Sequence, residues 1–333
     1  MMRVRRSARL RSLALLVLVM ILLLSSLSSC AYSPIEPTKE DLTVVGKVGE
    51  RDVYLEELRF VAHTYRSLMI SRYGDRIFEG EERQTYIDML CEQVYKNITA
   101  NYATIELCSE SLISMGEEAI LARVDEYIEE MVNELGGMRK YKKYLAENHA
   151  TDHFLRFSTE VNLIRNELLY VYVDDLGLIE SDDEKLYDII EDEFIKVQHI
   201  FVSHGTEGAY EKIQSAYARA SAGEDFDTLI NELDEDPEMT ADGIFILEGY
   251  MTEEYEKAAF SLKSGKTSEI VTDELGYYVI KRQKLEAPSI WLNFSYLKEL
   301  YQTYTFYGMI DERQAMLTFV PNQACEDFFK DFN

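Results

Sequence analysis

Between residues 55 and 178 the chain contains no proline, and apolar residues return every three or four positions. Ile87, Leu90, Val94 and Ile98 make one such stripe, and Ile120, Val124, Ile128, Met131 and Leu135 make another. Each stripe lies along one side of a 3.6-residue helix, with Gly136-Gly137 and Gly177 as stops. The spacing therefore predicts a helical domain of four to six helices. Its entry is a short hairpin: Val44–Val48 reads as a strand, Gly49-Glu50-Arg51 as a turn and Val53-Tyr54 as the return. Leu55, Leu58, Val61 and Ala62 then begin the first helical stripe.

Past residue 178 the text changes period. Ser181-Asp182-Asp183-Glu184 has capping-box spacing and opens a short helix to about Glu193. Lys196–Val202 alternates and is rich in β-branched residues, which marks a strand. Helices follow at Tyr210–Ala222, Phe226–Leu233 and Tyr255–Leu262, then strands at Glu269–Val271 and Tyr277–Arg282. The order β-α-α-β-α-β-β describes a compact α+β module, closed by Pro288. From Trp291 to Asn333 the sequence reads as helical again, with Tyr296, Leu297, Leu300, Tyr301 and Tyr304 on one stripe. The predicted fold class is α+β: a mostly helical domain built from both chain flanks, with an α+β domain inserted between them.

The N-terminus carries targeting information. Residues 1–11 hold Arg3, Arg5, Arg6, Arg9 and Arg11 with no acid, and an apolar run follows from Leu13 to Leu24. A positive head, a short apolar core and small residues before Cys30 form a secretory signal. The run is too short for the roughly 20 residues a spanning helix needs. Leu27-Ser28-Ser29-Cys30 resembles the bacterial lipobox, which implies that Cys30 is lipidated and anchors the chain to the membrane. An uncleaved N-terminal anchor is the alternative, and both put the bulk of the chain outside the cytoplasm. The expected boundaries are a signal peptide over 1–29, a tether over 30–41, a helical chaperone-like region over 42–193, the α+β domain over 194–285 and a helical region over 286–333 that packs with the first.

The net charge of −27 includes those five arginines, so the exported part is more acidic still. Such a balance excludes nucleic acid as a partner, since phosphate binding needs Lys and Arg to displace counterions. It suits positively charged clients, although acidic surfaces also simply keep proteins soluble. Beyond Cys30, the thiols Cys91, Cys108 and Cys325 form no CxxC and have no His at metal spacing, so no metal or other cofactor is expected. Buried free thiols are the plain reading, and a Cys91–Cys108 bridge stays open.

Six short pieces follow one another in order over about ninety residues: Gln198-His199-Ile200-Phe201-Val202, Gly223-Glu224-Asp225-Phe226, Glu235-Asp236-Pro237, Gly249-Tyr250-Met251 with Tyr255–Phe260, Gly265–Ile270 and Gly276–Lys281. The first is similar to the opening strand, and the second to the Gly-x-x-Phe junction, of the parvulin family of peptidyl-prolyl cis-trans isomerases, which the segment 194–285 resembles. The whole layout resembles PrsA-like foldase lipoproteins, with SurA-type chaperones as relatives.

That resemblance implies what the residues do. Rotation about an X–Pro amide meets a barrier of about 18–20 kcal/mol. A catalyst must hold the ring in an apolar pocket and favour the twisted amide, with neither nucleophile nor metal. By the match, Met251 and Tyr255 line the prolyl pocket and Phe260 supports its wall; ordinary core packing is the plainer reading of all three. His199 would orient the centre of a hydrogen-bond network, and Asp236 would tune its polarity unless Asp234-Glu235-Asp236 is only a solvated loop. Tyr278 stands where the family's second His is expected, and most members carry Phe where Tyr255 sits. A phenol cannot match both imidazole nitrogens, so the network is incomplete. The loop Ser203–Glu207 has no basic cluster for a phosphate, and His204 reads as a surface residue.

The resemblance thus implies a membrane-anchored isomerase for unfolded or partly folded exported proteins with X-Pro bonds. The competing reading is a non-catalytic chaperone with a degenerate parvulin domain. A solute-binding lipoprotein is disfavoured, because repeated βα units are missing. Homodimerisation is left open.

Overall fold

The computed structural model describes residues 32–111 and 113–332; the leader and Cys30 lie outside the described residues. Strands β1 (Val44–Val48) and β2 (Arg51–Tyr54) pair antiparallel, and β2 runs directly into α1 (Leu55–Tyr73). Helices α2 (Arg83–Ser109), α3 (Glu118–Leu135), α4 (Met138–Glu147) and α5 (Asp152–Tyr170) follow, and a π-helical turn over Val171–Asp175 ends α5. Next come α6 (Asp183–Glu193), β3 (Ile195–Ser203), α7 (Ala209–Ser221), α8 (Phe226–Leu233), β4 (Ile244–Ile246), α9 (Glu253–Ser261), β5 (Val271–Thr272) and β6 (Gly276–Gln283). The chain finishes with α10 (Ala287–Leu292), α11 (Phe294–Ala315), β7 (Phe319–Pro321) and α12 (Gln323–Lys330).

Two compact units result. One comprises the described residues up to Leu168 together with those from Ile310 onward, and the other is Leu169–Met309. The second is wider than the 194–285 module read from the sequence. The reason is a buried cluster in which Ile190 of α6, Phe194, Ile290 of α10 and Leu297 of α11 join Phe245 and Leu247. Apolar side chains just outside the module cover its edge, so residues 169–193 and 286–309 go with it.

In the first unit, β7 completes a three-stranded sheet of order β2-β1-β7. Val48 faces Phe319 and Gly46 faces Pro321 across the β1–β7 pair. A Cβ on Gly46 would stand 2.5 Å from the Phe319 ring and 2.6 Å from the Val320 carbonyl oxygen, so the close approach requires glycine. Asn322 then caps α12, accepting from Ala324 N and Cys325 N, and Cys325 and Phe329 turn into the main core beside Leu90, Val94 and Ile98. The sequence had suggested helix throughout this tail. A three-residue strand is too short to display alternation, and its pairing with β1 is what reveals it. The start of α6 also shifts by one residue, because Asp182 rather than Ser181 accepts from Glu184 N and Lys185 N. Cys91, Cys108 and Cys325 are free thiols, so the Cys91–Cys108 bridge does not form.

The second unit is built on an antiparallel sheet of order β4-β3-β6-β5. Alternation along β3 divides its side chains between two faces. Ile200 and Val202 pack with Val279 against Ile213 and Ala216 of α7 and Leu229 and Ile230 of α8. Ile195 and Val197 pack with Tyr278 and Ile280 of β6 against Tyr255 and Ala259 of α9. Gly276 opens β6 where a Cβ would lie 2.3 Å from the Val202 carbonyl oxygen, so glycine lets β6 close on β3. His199 shares the α9 face of the sheet, and the candidate site grows from it.

Candidate active site

His199 sits mid-strand with 2% of its surface exposed. Imidazole nitrogens in such a place need partners. Nδ1 lies 3.0 Å from the Tyr255 hydroxyl, which α9 delivers from above the sheet. Burial pushes the Tyr255 phenol far above its ordinary value, with the nearby Tyr278, Asp236 and Asp234 adding to the shift. The phenol therefore keeps its proton; the Tyr255 hydroxyl is assigned as donor to Nδ1, and the imidazole proton to Nε2, because Nε2 is the nitrogen that faces the Asp236 carboxylate. That nitrogen is 3.2 Å from Asp236 Oδ2 but is not aligned for a hydrogen bond, so the contact is electrostatic.

The run Asp234-Glu235-Asp236 reaches His199 for a structural reason. β4 pairs with β3 only over Ile195–Val197, which leaves the same edge open beyond it. The acidic run fills that edge. Asp234 Oδ1 accepts from Phe201 N at 2.7 Å, Glu235 N donates to the Phe201 carbonyl at 3.0 Å, and Glu235 Oε2 accepts from Ser203 N at 2.9 Å. Lys212 of α7 adds an ion pair to Glu235 at 2.8 Å. The solvated-loop reading is thereby replaced: carboxylates stand in for a missing strand. Asp236, next in line, keeps its side chain about one-third exposed. The His199 contact and a hydrogen bond from Glu238 N hold its carboxyl below the usual range, against a smaller opposing effect of burial.

Tyr278 faces Phe201 across the β3–β6 pair and is 4% exposed. Its ring stands edge-on to His199 (centroids 5.6 Å, 87°) and to Tyr255 (5.2 Å, 88°), while His199 and Tyr255 meet at 5.7 Å and 85°. Three mutually perpendicular rings thus form the centre, each presenting an edge to another's face. Burial first, and then the nearby Asp273 carboxylate, drive the Tyr278 phenol well above its ordinary value. The Tyr278 hydroxyl therefore lies in the field of the Asp273 carboxylate.

Asp273 has further duties that sequence reasoning missed. It accepts from Leu275 N at 2.8 Å and Gly276 N at 3.0 Å, shaping the β5–β6 turn. Its other oxygen accepts from Thr252 Oγ1 at 2.9 Å, tying the loop before α9 to that turn. Glu256 of α9 reaches back into the same loop and accepts from Gly249 N at 3.1 Å and Met251 N at 2.8 Å. These contacts fix Met251. An acid four residues into a helix looks like any solvated charge in sequence, so only the fold identifies the clamp.

The candidate residues now divide by exposure. Met251 and Phe260 are half-buried and pack on the Tyr255–Tyr278 cluster together with Phe201 and Val271. Tyr255 has 0% exposure, so it backs the centre instead of lining an open pocket. The expectation for Tyr255 changes for that reason. His204 is exposed, and its Nε2 meets the Asp273 carbonyl oxygen at 2.8 Å.

Residues 194–284 match the family model for the rotamase, PPIC-type PPIase domain. This segment is a parvulin-type domain. Curated relatives extend the likeness to PrsA foldases. The chain is 34% identical over 127 residues to the foldase protein PrsA of Caldanaerobacter subterraneus subsp. tengcongensis, covering 36% of this chain and 40% of that one. It is 26% identical over 179 residues to the PrsA of Geobacillus kaustophilus (53% and 59%), and 25% identical over 213 residues to that of Staphylococcus aureus (58% and 62%). The matches span 40% to 62% of the length of these relatives.

Proposed function

We propose that the chain is an extracytoplasmic peptidyl-prolyl cis-trans isomerase that assists the folding of exported proteins, anchored to the membrane by a lipid on Cys30. The observation that carries the reading is Asp236, held ionised beside a buried imidazole that shares its sheet face with Met251, Phe260 and Phe201. A planar amide places partial negative charge on its oxygen, and twisting removes that charge. A carboxylate beside the carbonyl therefore disfavours the planar form and leaves the twisted one less affected, which is the differential stabilisation that catalysis needs. Met251, Phe260 and Phe201 offer the apolar surface for the ring. His199, Tyr255 and Tyr278 are positioning residues: their burial keeps them from a docked peptide, and the two tyrosines hold the imidazole whose Nε2 faces Asp236.

Sealing of the imidazole and the replacement of a second histidine by Tyr278 favour a second reading, a chaperone that binds unfolded chains without turning proline. A cis/trans peptide assay on the chain from Cys30 onward separates the two. Rate enhancement that falls at least about tenfold in Asp236→Asn, some 1.4 kcal/mol of barrier, is the expected result. No enhancement in the parent protein, alongside suppressed aggregation of an unfolded client, sinks the isomerase and leaves the chaperone.

A further inference from the structure

The first unit contains a second feature, unrelated to the sheet of the parvulin-type domain. Glu56 and Glu57, neighbours at the start of α1, are both buried, at 2% and 3% exposure. Glu56 is satisfied: Thr151 Oγ1 donates to one oxygen, and His153 Nδ1 lies 2.6 Å from the other. Glu57 is not. The Tyr102 hydroxyl reaches Oε2 at 3.3 Å, but Oε1 has no hydrogen-bond partner. A buried carboxylate oxygen without a donor is costly, and such a group in a native fold calls for an explanation.

Glu57 lines a cavity of about 230 Å³. The other walls are largely apolar and aromatic: Tyr54, Tyr102, Ile105, Met115, Phe154 and Phe157. Aromatic faces around one carboxylate attract a cation, because ring quadrupoles and the negative charge act in the same sense. Other charges face the cavity as well. Asp52 is paired with Lys47 at 3.1 Å, Glu56 with His153 at 2.6 Å, and Arg51 is exposed on β2. Arg51 also lines the cavity but makes neither an ion pair nor a hydrogen bond with Glu57, and its exposure leaves its charge screened by solvent. Burial, helped by the adjacent Glu56 and partly offset by Asn101 and Tyr102, raises the Glu57 carboxyl to about 7. The site is therefore poised to ionise when a positive partner arrives.

We infer that this cavity binds an organic ammonium ion carried on an apolar stem, with the Glu57 carboxylate as counter-ion and the aromatic side chains around the stem. A lysine side chain of an unfolded client and a free alkylamine share that chemistry. The site stands apart from any proline isomerisation, so Glu57→Gln leaves the peptide isomerase rate unchanged.

Titration calorimetry of the full exported chain with n-pentylamine and with 1-pentanol at pH 7.5 tests the assignment. Pentylammonium binds and the alcohol binds at least about tenfold more weakly, the scale of one hydrogen bond to a charged group. Glu57→Gln removes that preference, and Met115→Trp, which fills the cavity, removes binding of both. An unstructured peptide containing lysine, compared with the same peptide carrying norleucine, identifies the source. Preference for the lysine peptide assigns the site to clients, and binding of the free amine alone assigns it to small amines. Equal affinity for amine and alcohol, an unchanged preference in Glu57→Gln, or no binding of either amine or peptide overturns the proposal.

Discussion

Tyr255→Phe removes one oxygen and tests the centre of the parvulin-type domain most directly. The ring stays, so packing against Ala259 and Tyr278 is kept, but His199 Nδ1 loses its donor. Tyr255 is 0% and His199 2% exposed, so solvent does not reach the vacated position. The loss is therefore more than the net value of a hydrogen bond; it includes a buried acceptor left unmet, about 1–3 kcal/mol. Urea unfolding followed by tryptophan fluorescence measures it cleanly, because the chain has one tryptophan and Trp291 lies in the second unit. The midpoint shifts down with an unchanged slope. In a His199→Leu background the acceptor is gone, and Tyr255→Phe costs under about 0.5 kcal/mol or stabilises, so the double-mutant cycle yields a coupling of at least about 1 kcal/mol. A cost of under about 0.5 kcal/mol in the parent background, or equal costs in both backgrounds, refutes the pairing.

Three other perturbations read different parts of the fold. Glu57 keeps its proton up to about pH 7 when folded, whereas its ordinary value is 4.5. The folded chain thus binds more protons than the unfolded one between those limits. The contribution of Glu57 to the stability of the first unit is fully present below about pH 4.5 and is lost as pH rises through about 7, by roughly 3 kcal/mol on this account. Asp41 and Glu110, held below the usual carboxyl range, act in the opposite sense in acid; the difference between the parent and Glu57→Gln profiles, measured by denaturant titration at several pH values, isolates the Glu57 part. Gly46→Ala drives a Cβ into the Phe319 ring and the Val320 carbonyl, so thermal melts show a loss of about 1–3 kcal/mol. Asp273→Ala frees Leu275 N, Gly276 N and Thr252 Oγ1 together, and hydrogen exchange at Leu275 and Gly276 accelerates at least about tenfold as the turn loosens.

Much of this architecture was legible in the sequence because it follows from periodicity. The stripe Ile120, Val124, Ile128 is buried along α3, and the alternation from Lys196 to Val202 became β3. Motif order then placed His199, Asp236 and Met251 around one face of one sheet. What stayed hidden depended on partners distant in sequence. β7 has three residues and gains its identity from β1, some 270 positions earlier. Asp234 and Glu235 resembled a charged loop until β4 proved too short to cover Phe201 and Ser203. The orphaned oxygen of Glu57 has no sequence signal, since the Glu-Glu at the start of α1 is what any helix N-terminus favours.

The two departures from the family pattern, Tyr255 for phenylalanine and Tyr278 for histidine, have a common physical account. Without a second imidazole on β6, His199 needs another donor, and the Tyr255 hydroxyl supplies it from α9 at 3.0 Å. Tyr278, relieved of that duty, has its phenol near the Asp273 carboxylate. The hydroxyl at 255 therefore offsets the lost imidazole at 278, and the pair should behave as a unit. Tyr278→His alone puts two donors near one imidazole and brings little change in isomerase rate. Tyr255→Phe alone leaves the imidazole without a partner and destabilises the domain. Tyr255→Phe with Tyr278→His restores a His–His arrangement, and the double variant is more stable than Tyr255→Phe by about 1 kcal/mol or more, with a higher isomerase rate than either single variant. Strict additivity of the two substitutions, in both unfolding free energy and rate, would mean that the rings only share a core.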